Sequence, residues 1–277
     1  MSSNPTLQQT FLDEIANLVF TKDPTGKQTR IETIFRERFS PENISAQNKD
    51  LKSYQNYTRF QNALAKDVIP RIYKAYELEI NSDVNSLQEK ENINIERWTK
   101  NEKGKGEVWK EVFKWLWQYK YPRWELDSLF WEPLKKQVDD ENWIKIQPEK
   151  VRDFELPELP EPEPLPVGEP LFITIKLPPE SPYLLLLHRG ITQRCFLCPS
   201  MVFAPQYRAD ENVIRLPQTE SDWYQQKKMG IRLTTPGTDG YIAIALKEAL
   251  DFDWLKPTKQ EKVLNWTSDR MEQLLGW

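Results

Sequence analysis

ELPELPEPEPLPVGEPLFITIKL, residues 155–177, holds the change on which the fold turns. Its first part, 155–170, carries six prolines among alternating glutamates. Proline fixes φ and removes the amide donor, so this stretch forms neither helix nor sheet. Like charges add self-repulsion, and the reading is an extended, semi-rigid spacer. Its second part, LFITIKL, sets Leu171, Ile173, Ile175 and Leu177 on one side and Phe172, Thr174 and Lys176 on the other. That is the period of two of a half-buried strand.

Upstream of the spacer the apolar period is helical. Leu7, Phe11, Ile15 and Leu18 fall on one face. Ile31, Ile34, Phe35 and Phe39 repeat the pattern, as do Leu51, Tyr54, Tyr57, Phe60 and Leu64, and, after Pro70, Ile72, Tyr73 and Tyr76. This spacing predicts an all-α segment of five or six helices. NSDVNSLQEKENIN (81–94) is polar and reads as a loop or frayed helix, and NEKGKGE (101–107) as a flexible break.

Downstream, YLLLL (183–187), RCFLC (194–198), NVIRL (212–216), GIRLTT (230–235) and GYIAIAL (240–246) follow LFITIKL at short, turn-punctuated intervals. About six strands so spaced predict an antiparallel β-sandwich or barrel. The last residues, 257–277, read as a helix opened by a Thr258–Glu261 capping box, with Val263, Leu264, Met271, Leu274 and Leu275 on its apolar face. The fold class expected is therefore α+β in separate domains. Residues 1–147 form a helical domain, 148–169 an acidic Pro-rich linker, and 170–277 a β-sandwich with a terminal helix.

The richest window is VWKEVFKWLWQYKYPRWELDSLFW (108–131), with five tryptophans. On a helical wheel its first half spreads apolar residues over an arc of roughly 200°, twice the stripe of an ordinary surface helix. Tyr121-Pro122 predicts a bend, because the residue before proline avoids the helical region. Three roles compete for this window: a central core helix, a partner-docking face, and a base-stacking groove with phosphate contacts from Lys110, Lys114, Lys120 and Arg123. The docking reading assigns partner contact to Trp115, Trp117, Tyr119, Trp124 and Trp131.

Charge weighs against nucleic acid. The chain carries −4 overall, and residues 1–150 hold 24 basic and 24 acidic side chains. A dedicated nucleic-acid domain carries a basic excess. No apolar run approaches a membrane span, and the polar N-terminus lacks the pattern of a signal peptide, so a cytoplasmic location is expected.

Enzymatic signatures are sparse. None of the nine glycines builds a phosphate-binding loop. Cys195 and Cys198 form one C-x-x-C, with His188 the only histidine. A structural zinc site needs four ligands, and residues three apart on a regular strand face opposite ways. Core cysteines are the plain reading. A Cys–His dyad with His188 across the hairpin is the chemical one, although no orienting acid is legible. Asp139, Asp140 and Glu141 read as a solvated loop.

YLLLLHRG (183–190), CFLCPSMVFAP (195–205), IRLPQT (214–219) and PGTDGYIAIA (236–245) together resemble the bacterial domain-of-unknown-function family numbered four-three-eight-four, over residues 167–255. The resemblance implies an accessory β-sandwich, joined in relatives to caspase- or trypsin-type proteases or to small helical adaptor domains of conflict and signalling systems. The expectation is thus a non-enzymatic adaptor without cofactor or metal. Its expected partner is a protein, such as a protease or signalling ATPase. The alternatives are a nucleic-acid-binding protein using window 108–131, and a substrate or inhibitor of a partner protease.

Overall fold

A computed structural model describes residues 5–20, 29–99, 107–138, 143–148, 165, 167–209, 212–233 and 236–276. Residues 101–106 of the expected break, most of the Pro-rich stretch and Asp139–Glu141 lie outside these residues. The chain divides into two compact units, Met1–Ser128 and Leu129–Trp277. The first is helical, and the second contains antiparallel sheets and a terminal helix, as the periodicities predict.

The helical unit contains α1 (Pro5–Val19), α2 (Arg30–Arg38), α3 (Lys52–Asn56), α4 (Phe60–Ala63), α5 (Ile69–Ala75), α6 (Glu77–Glu91), α7 (Glu96–Thr99), α8 (Val108–Trp115) and α9 (Tyr121–Leu126). Phe11, Ile15, Ile34, Phe35, Phe39, Phe60, Leu64 and Ile72 are buried in one core, as their spacing requires. The polar stretch 81–94 corrects the sequence reading, because most of it is the second half of α6. Ile80 and Leu87 bury one face of α6, and its acids find partners across the core. Arg123 grips Asp83 with two bonds of 2.6 and 2.9 Å, and Lys120 reaches Glu79 at 2.6 Å. Lys114 pairs with Glu91.

The expected bend at Tyr121-Pro122 is also corrected. Tyr121 keeps helical dihedrals, φ −58° and ψ −48°. A π-helical segment, Leu116–Lys120, precedes it, and the Tyr121 N–H donates to the Leu116 carbonyl five residues back. A proline ring clashes with the carbonyl four residues earlier, and the wider π register moves that carbonyl aside. Leu64–Val68 ahead of Pro70 is built the same way, with the Ile69 N–H donating to Leu64. A further π segment, Asp127–Trp131, precedes Pro133 in α10 (Glu132–Lys135).

In the second unit β1 (Ile144–Pro148), β2 (Pro170–Lys176), β5 (Val213–Leu216) and β6 (Ile231–Arg232) form one antiparallel sheet. β3 (Tyr183–Arg189), β4 (Arg194–Ser200), β7 (Gly240–Leu246) and β8 (Val263–Asn265) form the other, in the order β7-β3-β4-β8. Ile173, Ile175, Ile214 and Leu216 from the first sheet share one core with Leu184, Leu186, Cys195 and Cys198 from the second. Two sheets over one core make the expected sandwich. A short helix, α11 (Asp222–Lys227), is capped by the Ser221 hydroxyl.

Two strands fall outside the sequence reading, and each moves a boundary. β1 pairs with β2 from Ile144↔Ile175 to Pro148↔Leu171. Residues 149–169 therefore join two neighbouring strands of one sheet rather than tethering two domains. The division of the chain falls at Ser128/Leu129, not around 147–170. At the other end, Val263 and Leu264 are strand, because β8 pairs with β4. Thr258 and Glu261 bond each other reciprocally in a turn, with N···O distances of 3.0 and 3.1 Å. The terminal helix is α12 (Ser268–Gly276), with Thr267 accepting from the Arg270 amide and Met271 and Leu274 buried.

Candidate functional site

The aromatic window resolves into a central core helix. Trp115 is fully buried, and its indole N–H donates to Asp83 at 3.0 Å. Trp117 is half-buried and donates to the Phe39 carbonyl at 2.9 Å. Trp124 is half-buried and donates to Glu14 on α1 at 2.7 Å. Phe11 of α1 packs edge-on to both Trp117 and Tyr121 at about 5 Å. Tyr119 lies partly buried against the same core. Trp131 belongs to the second unit, where it is buried and stacks on Trp266 at 5.6 Å. These five residues do not form one surface. Trp115 and Trp131 are withdrawn as contact residues by burial, and Trp117 and Trp124 spend their polar edges inside their own unit.

The cations that a stacking groove would need are also engaged. Lys110 pairs with Glu107 at 2.5 Å, Lys114 with Glu91, Lys120 with Glu79 and Arg123 with Asp83. Three of those four acids sit on α6, most of which, from residue 81 on, the sequence reads as a loop or frayed helix.

At one end of the sandwich, His188 joins the sulfur chemistry that C-x-x-C suggests. Its Nε2 lies 2.8 Å from Asp239 Oδ1, and its Nδ1 lies 3.8 Å from Cys195 Sγ. Tyr241 stacks on the imidazole at 5.1 Å. The orienting acid missed in the sequence is thus Asp239. PGTDG reads there as a turn, and only the pairing of β3 with β7 brings it beside His188. A bulge at Leu186/Leu187 slips the β3–β4 register, so Leu186 faces Cys198 and Leu187 faces Phe196. Cys195 and Cys198 consequently both enter the core, which corrects the expectation of opposite faces.

Geometry alone would allow an imidazole to take the Cys195 proton. Burial opposes it, because a thiolate in an apolar core lacks solvation. Burial pushes the Cys195 thiol up to about 12, with Arg194 pulling weakly the other way, and it raises Cys198 as well. The cluster is a hydrogen-bonded structural knot around a histidine with both ring nitrogens occupied. Among the described residues, no group of three or more His, Cys, Asp or Glu is placed to hold a metal ion.

The third region is the side of β7 turned away from β3. This strand ends the sheet order, paired to β3 along all seven residues. GYIAIAL contains no charge and no proline, the devices with which edge strands are blunted. Beside it runs a cavity of about 280 Å³, lined by Tyr241, Ala243, Ile244 and Ala245 and faced by Val138 and Trp143. Val138 is 54 % exposed.

No family model, curated protein or solved structure matches this chain. No helix among the described residues is long and apolar enough to cross a membrane.

Proposed function

We propose that this chain is a non-enzymatic interaction protein, an adaptor of a bacterial conflict or signalling system, and that it receives an extended segment of its protein partner along β7. The observation that carries the reading is the uncharged seven-residue edge with an apolar cavity beside it. Strand addition supplies affinity through main-chain hydrogen bonds and selectivity through alternate side chains. The aromatic window supports this reading only indirectly, as the core of the helical unit. The nucleic-acid alternative has little support, since the four cations it relies on are already paired.

The test is hydrogen exchange on the purified chain, alone and mixed with purified products of neighbouring genes, a protease or ATPase first. The expected result is a complex in which half of the β7 amides, those not bonded to β3, slow their exchange. A stable complex that leaves β7 exchange unchanged would sink the reading.

A further inference from the structure

We propose that the sandwich holds a site for one soft monovalent cation, Cu(I), between Cys195 Sγ and His188 Nδ1. This site is independent of any partner at β7. Asp239 sets the nitrogen donor. A carboxylate only accepts, so its 2.8 Å bond places the proton of the neutral ring on Nε2. Nδ1 then carries the lone pair, and it faces the sulfur at 3.8 Å. A carboxylate behind a ligating imidazole is the arrangement that orients histidines at metal centres and raises their basicity. Gly190 makes room for it, because a Cβ there would stand 3.1 Å from both Asp239 Oδ1 and His188 Cε1. Metal bonds of about 2.0 Å to imidazole and about 2.3 Å to thiolate span roughly 4.3 Å in line. A cation therefore bridges the 3.8 Å gap in a bent arrangement with neither atom moved.

The donor set selects the ion. Thiolate is soft, and imidazole serves copper and zinc alike. Structural zinc takes four ligands, whereas among the described residues no three such donors converge. Cu(I) is satisfied by a pair. Cys198 stands apart, since its sulfur meets the carbonyls of Leu184 and Gln206 at 3.6 and 3.8 Å. Burial, which opposes a free Cys195 thiolate, does not oppose a metal-bound one. Uptake breaks the S–H bond, forms an S–Cu bond and releases the proton to solvent, with the oxidation state of copper unchanged. The cation cancels the charge of the thiolate, so the core receives a neutral pair. His188, 9 % exposed against 3 % for Cys195, is the donor nearer solvent.

The experiment is an anaerobic titration of the pure full-length chain against a chromogenic Cu(I) chelator, with X-ray absorption spectra of the loaded protein. The expected result is one Cu(I) per chain, bound through one sulfur and one nitrogen. Cys195→Ser should abolish uptake, and Cys198→Ser should retain it. Asp239→Asn leaves both donors in place and should weaken binding about 10- to 100-fold, as loss of an outer-shell partner does. Each cation displaces one proton, so the apparent affinity should rise about tenfold per pH unit above neutrality. The spectrum of the native chain requires no variant, so it decides the matter even where a substitution unfolds the protein. A folded chain that takes no Cu(I) would overturn the proposal. So would uptake undiminished by Cys195→Ser, or a site with two sulfur ligands, which would mean that Cys198 had turned out of the core to join. None of these outcomes bears on β7.

Discussion

Cys195, Cys198 and Tyr241 are acids that the fold keeps protonated. Burial raises all three. For Cys195 the unfolded thiol ionises near its ordinary 9.0, whereas the folded one holds its proton to about 12. Between those values the unfolded chain binds fewer protons, so stability falls as pH rises. Below the ordinary value the contribution is fully present. The loss for one such thiol is about 1.4 kcal/mol per pH unit within the window. Urea midpoints measured from pH 8 to pH 11 should therefore fall steeply above pH 9. Both thiols should resist iodoacetamide at neutral pH until the chain unfolds. Rapid labelling of Cys195 in the folded protein would restore the catalytic dyad as a reading.

Gly230 tests the backbone at the same scale. A Cβ there would stand 2.4 Å from the Leu171 carbonyl oxygen, main chain against main chain. Gly230→Ala should cost about 2–3 kcal/mol in chemical denaturation, as overpacked sites do. Gly240 is more forgiving. Its Cβ would meet the Trp131 ring at 2.6 Å, and a side chain can shift.

At the level of elements, α6 decides how the aromatic helix is received. Asp83 is 5 % exposed and serves the Arg123 guanidinium and the Trp115 indole together. Asp83→Ala would strand a largely buried cation and an indole N–H, at a cost of about 3–5 kcal/mol. Asp83→Asn keeps an acceptor and should cost less. Equal losses for the two variants, read by urea denaturation, would show that the pair adds nothing beyond packing.

The same element shows where sequence reading stops. The helical core was legible because Phe11, Ile15, Ile34 and Phe35 repeat at the helical period. α6 was not, because its apolar face is thin and its helicity depends on Lys114, Lys120 and Arg123 reaching Glu91, Glu79 and Asp83 from a segment distant in sequence. The π segments were hidden because Pro70 and Pro122 read locally as breaks. β1 did leave a signal, the alternation of Ile144 and Ile146, which the prolines that follow obscured. β8 left almost none, since three residues carry no period. Of the site, GYIAIAL was legible as a strand. Its position at the end of a sheet, like the placing of Asp239 beside His188, is a property of strand order and was not.

For the molecule as a whole, the revision with the widest reach concerns residues 149–169. Their two ends are held as a cross-strand pair, Pro148↔Leu171. Replacing 151–167 with a short Gly-containing connection should leave the sandwich folded. Loop-closure entropy predicts a gain of about 1–1.5 kcal/mol, and a thermal melt would report it. Collapse of the fold on shortening would show instead that the segment packs as a structural part.

A protease that cut anywhere in this stretch would not set the two halves free. β1, still joined to the helical unit, stays zipped to β2 on the far side of the cut. The nicked molecule would migrate as one species on a native gel and as two bands after denaturation. Severing here would therefore work as a mark on the molecule rather than as a release.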